Sequence, residues 1–273
     1  MLPTKCATIT ATIVVSPTAS GSIGIGPNSF SDSRAVLEGD LIASSAPDLT
    51  ALQSYTFTNI TGNWTISDLA SLDTLYFPLL ADAENVYLSN LPLLSQVTTA
   101  ETLDVTNVVI SNTSLSSLPN LVTPTTDVSQ GVASITNNNK LGDVALEFQE
   151  LTSLTFTSNG NSVHLILSNL GLATTIEISN CSSLAFPILE LVDSLILEGN
   201  NFTSFEAPQL SRIDSFSFLD NPNIESLAIP SLTSFSNLSI ANNTALQQVE
   251  FTNFISPDAQ SQLLMTLSGN FTK

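Results

Sequence analysis

Short segments that alternate apolar and polar residues and end in asparagine recur along most of this chain. In each segment the residues of one parity are apolar, such as Val86 with Leu88, and the final asparagines stand 20 to 25 residues apart. Alternation with a period of two predicts a β-strand, and repetition at this interval predicts a solenoid. The segments are NVYLSN, NVVISN, VASITN, LTFTSN, TIEISN, LILEGN, FSFLDN and NLSIAN, ending at Asn90, Asn112, Asn137, Asn159, Asn180, Asn200, Asn221 and Asn242.

A second motif, with a proline after an apolar residue, recurs between these strands. Because proline lacks a backbone donor, it belongs at a bend or a strand end. The two motifs together predict that each repeat contains strand segments separated by a bend. Stacked repeats would build parallel sheets around a continuous apolar column. The predicted fold is mainly β, a right-handed parallel β-solenoid. The motifs are FPLL, LPNL, FPIL, APQL and IPSL, beginning at Phe77, Leu118, Phe186, Ala207 and Ile229.

The repeats also suggest how the chain is divided. We predict an N-terminal cap region over residues 1–34, a repeat solenoid over 35–255, and a short helix or the start of a further coil over 256–273. The helix alternative rests on Ser256 as N-cap and on Leu263, Leu264 and Leu267 sharing one face. Residues 7–15 loosely resemble a signal peptide, but threonines interrupt them, so a first strand is favoured.

The charge balance restricts the possible partners. The 273 residues include 24 Asp and Glu against 5 Lys and Arg, for a net charge of -19. Such a chain repels phosphate backbones and anionic headgroups, which argues against a nucleic-acid partner. With 42% hydrophobic residues in regular spacing, the chain does not have the composition of a disordered protein. It contains no run of 18 apolar residues that would predict a membrane-spanning helix.

Several stretches resemble a known family. The segments NNNKLGDVALEFQELTSLTFTSNGNSVHLILSNL, SSLAFPILELVDSLILEGNNFTSFEAPQL and IPSLTSFSNLSIANN are similar to fungal GPI-anchored cell-wall organisation proteins, which include sporulation-specific wall proteins. The resemblance covers roughly residues 37–251. It implies coils of the leucine-rich-repeat, receptor L-domain type, and an extracellular glycoprotein of the cell wall or the outer face of the plasma membrane. It implies a role in wall integrity, with no catalytic residues and no cofactor.

The family also implies two features that this sequence does not display. One is a GPI anchor, which would be the protein's only membrane association and whose signal is not visible in these residues. The other is an N-terminal cysteine pair. Cys6 would be its first member, and no partner stands near residues 31–35.

Asparagines in N-x-S/T sequons are candidate glycosylation sites, because a used sequon lies on the surface of a secreted protein. We expect glycans at Asn59, Asn63, Asn201 and Asn237, which fall on bends or strand starts. Three others, Asn112, Asn180 and Asn242, follow the last inward apolar residue by two. Parity predicts that these three point inward, pair with backbone groups at the bend and form an asparagine ladder without glycans. Cys181, beside Asn180, is expected to be a buried free thiol.

An enzyme is the least favoured function. His164 is the only histidine, is expected to face outward, and has no nucleophile motif around it. One histidine and one cysteine do not make a zinc site, so no metal is predicted. The pairs Glu177 with Glu198 and Asp193 with Asp214 could place two carboxylates at a hydrolase's separation, but acidic pairs are common in this chain.

The outward strand residues offer many weak hydrogen bonds and no evident anchor. They are Tyr87, Val109, Ser134, Thr155, Glu177, Ile196, Ser217 and Ser239. We therefore predict a non-enzymatic cell-surface glycoprotein that contributes to fungal wall organisation, with wall polysaccharide or wall proteins as partners. The alternative is a receptor-like extracellular module that binds a protein or carbohydrate ligand. A polysaccharide-degrading β-helix enzyme is a distant third.

Overall fold

The computed structural model describes residues 7–27, 34–122, 131–160 and 162–253, and residues 6 and 264–267 by their backbone alone. The described chain consists of strands, turns and bends, without a helix. It forms two compact units, one from Met1–Ser129 with Asn137–Leu141 and the other from Gln130–Thr136 with Gly142–Lys273. Each unit is a parallel β-solenoid, which confirms the predicted mainly β fold.

The first unit contains strands β1 to β13. They are β1 Cys6–Thr10, β2 Ile13–Val15, β3 Gly21–Gly24, β4 Arg34–Glu38, β5 Leu41–Ser44, β6 Leu49–Gln53, β7 Phe57–Ser67, β8 Thr74–Tyr76, β9 Asp82–Leu91, β10 Gln96–Thr98, β11 Leu103–Asp104, β12 Asn107–Thr113 and β13 Leu121–Val122.

The second unit contains strands β14 to β26. They are β14 Gly131–Thr136, β15 Val144–Ala145, β16 Glu150–Thr157, β17 Val163–Ile166, β18 Leu172–Ser179, β19 Cys181–Ala185, β20 Leu191–Glu198, β21 Ser204–Glu206, β22 Arg212–Leu219, β23 Ser226–Ala228, β24 Asn237–Ala241, β25 Gln248–Glu250 and β26 Leu264–Leu267.

Corresponding strands of successive coils pair in parallel. In the first unit one sheet has the order β1-β4-β7-β9-β12 and another the order β10-β8-β6-β3. In the second unit the main sheet runs β14-β16-β18-β20-β22-β24-β26, beside smaller sheets β15-β17-β19 and β21-β23-β25. Equivalent residues are in register, as Ile176 is with Leu195 and Leu195 with Phe216. Each inward residue therefore stacks on its counterpart one coil away.

The core is the column that this stacking creates. In the first unit Trp64 is fully buried and packs on Phe77 with ring centroids 4.9 Å apart. In the second unit Phe202, Phe205 and Phe218 form a cluster with centroids 6.0 to 6.2 Å apart. Burial of each such side chain contributes about 1.5–3 kcal/mol. No coil could bury this surface without its neighbours.

All five prolines of the second motif lie outside the strands, and Pro78, Pro208 and Pro230 lie in turns. Leu80 N donates to Phe77 O at 2.9 Å, and Leu232 N donates to Ile229 O at 3.2 Å. Each of these three prolines occupies the second position of such a four-residue turn, where its fixed φ is favourable and no donor is needed. The two flanking apolar residues of each turn are buried, so the bend is fixed to the core at both ends.

The parallel pairing also reaches into the segments predicted to lie outside the solenoid. Strands β1, β2 and β3, within residues 1–34, pair in parallel with β4, β5 and β6. Near the C-terminus, residues 264–267 form strand β26, which pairs in parallel with β24. Of the two alternatives for residues 256–273, these four residues therefore follow the further coil and not the helix. Ser256 and Leu263 lie outside the described residues.

Candidate functional site

From Ser45 to Asn242, one residue in each coil turns the chain with a positive φ of +53° to +64°. We call this the corner residue. Left-handed backbone costs an ordinary L-residue about 1–2 kcal/mol but is well tolerated by Gly, Asn and Asp. The position accordingly carries small polar residues or glycine. The corner residues are Ser45, Asp68, Asn90, Asn112, Asn137, Ser158, Asn180, Gly199, Asp220 and Asn242.

The residue immediately after each corner is buried. In the first three corners it is apolar, and in most of the later ones it is asparagine. The left-handed turn rotates the chain so that this next side chain enters the core, although strict alternation would point it outward. We call it the post-corner residue. The post-corner residues are Ala46, Leu69, Leu91, Thr113, Asn138, Asn159, Cys181, Asn200, Asn221 and Asn243.

The buried asparagines of the second unit hold neighbouring coils together at the bend. Asn221 Nδ2 donates to Leu197 O at 3.0 Å, while Asn200 N donates to Asn221 Oδ1 at 2.9 Å. Asn243 repeats both contacts one coil later, with Phe218 O at 2.8 Å and Asn221 N at 2.9 Å. Each amide thus satisfies a carbonyl and an N–H that the strand ladder leaves unpaired where the chain turns.

In the first unit a similar set of hydrogen bonds joins a buried asparagine to a threonine. Asn138 Nδ2 donates to Ile110 O at 3.0 Å, and its Oδ1 accepts from Thr113 N at 3.2 Å and from Thr113 Oγ1 at 2.7 Å. The contacts are those of the second unit, with a hydroxyl in the place of the preceding asparagine. The ladder predicted from the sequence therefore exists, formed by other asparagines.

The three asparagines predicted to form that ladder are corner residues, so the inward prediction was wrong. Asn112 and Asn242 are exposed and Asn180 is half-buried. Asn112 Nδ2 donates to Asn90 Oδ1 at 3.2 Å, a contact between exposed side chains. Parity failed because it assumes an extended backbone, whereas φ is +53° at Asn112, +63° at Asn180 and +59° at Asn242.

The four predicted glycosylation sites differ in exposure. Asn201 and Asn237 are exposed, whereas Asn59 and Asn63 are half-buried in β7. Asn63 Nδ2 donates to Asp40 Oδ1 at 2.9 Å, so its amide has a partner within the fold. Occupancy at all four stays a prediction.

Cys181 occupies a post-corner position and is a buried free thiol, as predicted. Its N–H donates to Asn200 Oδ1 at 3.0 Å, so it takes part in the ladder through its backbone. Burial raises the pKa of the Cys181 thiol to about 12. The thiolate needed for nucleophilic chemistry is therefore scarce at neutral pH. His164 is exposed on β17, in the outward orientation expected.

The two acidic pairs of the second unit are arranged differently. Glu177 is in register with Ile196, and Glu198 is in register with Ser179, so the two glutamates are on adjacent strands two residues out of register. Asp214 makes an exposed ion pair with Arg212, whose Nε lies 3.1 Å from Asp214 Oδ1. The residues flanking Asp193 and Asp214 are in register, which brings those two positions level on adjacent strands.

The first unit contains an acidic pair that the sequence analysis did not single out. Asp82 and Asp104 are in register on β9 and β11. Burial raises the pKa of Asp82, and repulsion from Asp104 and Glu84 raises it further. Burial also raises the pKa of Asp104. Their spacing of 22 residues, one coil, was a signal available in the sequence.

Two tyrosines missed by the sequence analysis lie together on the surface of the first unit. Tyr55 and Tyr76 have ring centroids 5.5 Å apart. They too are separated by about one coil, which the search for repeated strands overlooked because Tyr55 follows its strand. Among the described residues, no cluster of three His, Cys, Asp or Glu side chains is arranged to hold a metal ion. Nor do they include a helix long and apolar enough to cross a membrane.

Comparison with known proteins finds fungal relatives. The chain is 30% identical to sporulation-specific protein 2 of Saccharomyces cerevisiae over 256 residues, which cover 92% of this chain and 49% of that protein. It is 27% identical to protein ecm33 of Aspergillus fumigatus over 232 residues, covering 84% of this chain and 56% of the relative.

A cell surface GPI-anchored protein of Arthroderma benhamiae is 28% identical over 151 residues, 53% of this chain and 38% of that protein. The chain thus spans about half the length of the curated relatives it matches. No family model matches it.

Proposed function

Because this chain is similar to fungal sporulation-specific protein 2, to protein ecm33 and to a GPI-anchored cell surface protein, we propose that it is a wall protein that contributes to wall organisation and integrity without catalysis. The relationship confirms the family resemblance found in the repeat motifs and supports a protein associated with the fungal cell wall. The finer proposal is a rigid acidic glycoprotein whose outward faces contact wall polymers or wall proteins.

The observation that carries this proposal is the extent of the similarity. The match to sporulation-specific protein 2 covers 92% of this chain, so the shared part is the solenoid itself. Within each unit, a stacked core with satisfied corners is suited to holding the outward strand residues rigidly in place. Rigidity is a property that an architectural wall protein requires.

The surface chemistry supports a non-catalytic role. Asp214 is exposed and paired with Arg212, and His164 is exposed on the outward side of β17. Cys181 is buried and protonated. These three candidates for chemistry are thus in settings that suit structure or solubility.

For localisation, we propose the cell wall or the outer face of the plasma membrane. One relative is named as a GPI-anchored cell surface protein, and this supports a GPI anchor as the route of membrane association for the full gene product. Exposed sequons at Asn201 and Asn237 agree with passage through the secretory pathway.

The test is a fractionation and complementation experiment in the source fungus. The tagged full-length product should be found in the detergent-washed wall or membrane fraction, and a deletion strain should be hypersensitive to wall-binding dyes. A gene with Asp193→Asn and Asp214→Asn should restore resistance fully, because these carboxylates have no catalytic task. Recovery only in the cytosol, or turnover of a wall polymer by purified protein that these substitutions abolish, would contradict the proposal.

A further inference from the structure

One outward face of the first unit is uncharged although the chain as a whole carries -19. It belongs to the sheet β3-β6-β8-β10, whose inward residues include Leu52 and Leu75. We call it the tyrosine face. The acidic residues near it in sequence, Asp48, Asp73 and Glu101, are exposed and lie outside the four strands of this sheet. The tyrosine face consists of Ser22, Gly24, Ala51, Gln53, Thr74, Tyr76, Gln96 and Thr98, with Tyr55 beside it.

The backbone of this face is held in place by hydrogen bonds between successive coils. Gly24, Gln53, Tyr76 and Thr98 are in register on four successive strands. Beyond the row, Ser54 N donates to Tyr76 O at 2.9 Å, and equivalent bonds of 2.8 Å reach Gln53 O and Thr98 O. Adjacent strands lie about 4.8 Å apart, so the row presents one side chain at each such interval.

Tyr55 is held out of the core by its neighbour. Ser54 is buried, and its Oγ accepts from Phe57 N at 3.2 Å and from Thr56 N at 3.4 Å. This turn leaves Tyr55 61% exposed, with its ring 5.5 Å from Tyr76 at an interplanar angle of 55°. Aromatic surface is thus displayed to solvent at a place where the backbone is fixed.

Hydrogen-bonding groups lie beside the rings. Tyr55 Oη donates to Gln53 Oε1 at 3.3 Å, and Gln53 Nε2 donates to Ser22 Oγ at 3.4 Å. Thr74 and Thr98 add hydroxyls on the adjacent strands. Next to Gln53, Gly24 contributes no side chain, and a Cβ there would meet nothing closer than Gln53 Cγ at 4.0 Å. A ligand can therefore approach the row closely at that end.

We propose that the tyrosine face binds an uncharged β-linked glucan, an assignment that rests on the proposed wall function and names the partner. A glucopyranose with equatorial hydroxyls presents C–H groups on its flat sides and hydroxyls around its edge. The flat sides stack on aromatic rings, as at Tyr55 and Tyr76, and the edge hydroxyls pair with the amide of Gln53 and the threonines.

The alternatives fit this surface less well. A protein partner would need an apolar core to its interface, whereas the residues around the tyrosines are Ser, Gly, Ala, Thr and Gln. An anionic polymer would be repelled by the net charge of the chain. A mannan carries an axial hydroxyl that interrupts one flat side of each sugar, so it stacks less closely on a ring.

The test measures binding of the purified full chain to soluble laminarin by calorimetry, with soluble mannan and polygalacturonate as comparison polymers. Laminarin should bind and polygalacturonate should not. The Tyr55→Ala, Tyr76→Ala double variant should weaken laminarin binding about tenfold or more, since each ring supplies stacking energy. The double Phe variant should stay within about threefold, because it keeps both rings.

Tyr87→Ala is the matched control, since Tyr87 is a half-buried outward tyrosine on β9 of the other sheet and its loss should leave laminarin binding unchanged. Circular dichroism checks that every variant is folded. Laminarin binding that survives the double alanine substitution, stronger binding of mannan, or no laminarin binding by the natural chain would overturn the assignment.

The proposed function is tested separately, by fractionation and complementation with the natural chain and with the same double variant in the fungus. If glucan binding fails while the natural chain is still in the wall and complements the deletion, the ligand is wrong and the wall function stands. If the natural chain is absent from the wall and the deletion has no wall phenotype, the function itself is wrong.

Discussion

Single buried asparagines connect coils of the second unit at the point where strand pairing stops. Asn221 joins two neighbours, through its Nδ2 to Leu197 O and its Oδ1 from Asn200 N. Asn221→Ala would leave that carbonyl and that N–H buried without partners. We expect a loss of about 2–4 kcal/mol in the free energy of unfolding, measured by urea denaturation.

The matched control for this substitution is Asn223→Ala, because Asn223 is an exposed asparagine in the turn that follows Asn221. Its effect should stay within about 0.5 kcal/mol. Equal effects of the two substitutions would mean that asparagine acts here through turn propensity and that the buried hydrogen bonds contribute little.

The thiol of Cys181 makes stability depend on alkaline pH. Its pKa is raised to about 12 in the folded chain, from an ordinary value of 9.0. The unfolded chain therefore releases this proton at a lower pH than the folded chain, so unfolding becomes easier as pH rises above about 9. Below that value the contribution is constant.

The measurement compares the natural residue with Cys181→Ala, both in a Cys6→Ala background, by urea denaturation at about pH 8 and about pH 10. The chain with Cys181 should lose roughly 1 kcal/mol more between the two pH values than the alanine variant. Parallel pH curves would show that the thiol ionises as easily in the fold as outside it.

Asp82 makes stability depend on pH in the acidic range, whereas Cys181 does so in the alkaline range. Burial, with repulsion from Asp104 and Glu84, raises its pKa in the folded chain. The folded state then holds the proton more tightly, so ionisation of Asp82 becomes unfavourable to folding as pH rises above its ordinary value near 4. Asp82→Asn should raise the melting temperature at pH 7 and change it little at pH 3. The exposed Asp73→Asn is the control, and an equal gain there would implicate net charge alone.

Within a coil, glycine is needed for two different reasons. At a corner it tolerates the left-handed backbone, and where two coils approach it leaves room for the neighbouring backbone. Gly199 has φ +64° with no atom within 4 Å of a Cβ, whereas a Cβ on Gly39 would lie 2.4 Å from Ala11 O. Gly199→Asn should be nearly neutral, since asparagine occupies this corner in other coils, and Gly199→Ala should cost about 1 kcal/mol.

Gly39→Ala should cost more, about 1–3 kcal/mol, because the backbone of the adjacent coil would have to move. Thermal unfolding of the three variants gives the order. If Gly39→Ala were as mild as Gly199→Ala, the two coils could separate without penalty, contrary to the close contact between them.

The corner and post-corner positions explain which features of a coil could be predicted from the sequence. Strand alternation and repeat length are periodic, so they identified the strands, the prolines at bends and the parallel stacking. The asparagines that were aligned as equivalent belong to two positions. Asn112, Asn180 and Asn242 are corner residues, and Asn200 and Asn221 are post-corner residues.

Asparagine suits both places, since it tolerates left-handed backbone and its amide can satisfy a buried donor and acceptor. Residue type alone therefore could not separate exposed from buried positions. Gly199 directly before Asn200 was the available signal, because glycine marks a left-handed position and cannot provide the buried amide. The tyrosine face was missed for another reason, since Tyr55 reaches its partner from a bend where no alternation operates.

Because the corners of different coils are interchangeable, we predict that one whole coil can be removed from the molecule. Deleting residues 200–220 joins Gly199 directly to Asn221, which then takes the place of Asn200 beside Cys181 and Ile178. β24 would take the place of β22 next to β20, with Leu238 replacing Phe216 opposite Leu195. We expect this variant to fold, because solenoid stability is approximately a sum over neighbouring coils.

Its urea denaturation should stay cooperative with a smaller m-value, since less surface is exposed on unfolding. The control deletes residues 200–210 and joins Gly199 to Ser211, which removes the post-corner asparagine Asn200 and half a coil. That variant should lose the cooperative transition, because the inward residues after the junction no longer stack on their counterparts. If both deletions unfold alike, the coils are not equivalent units and the ladder of asparagines does not set their register.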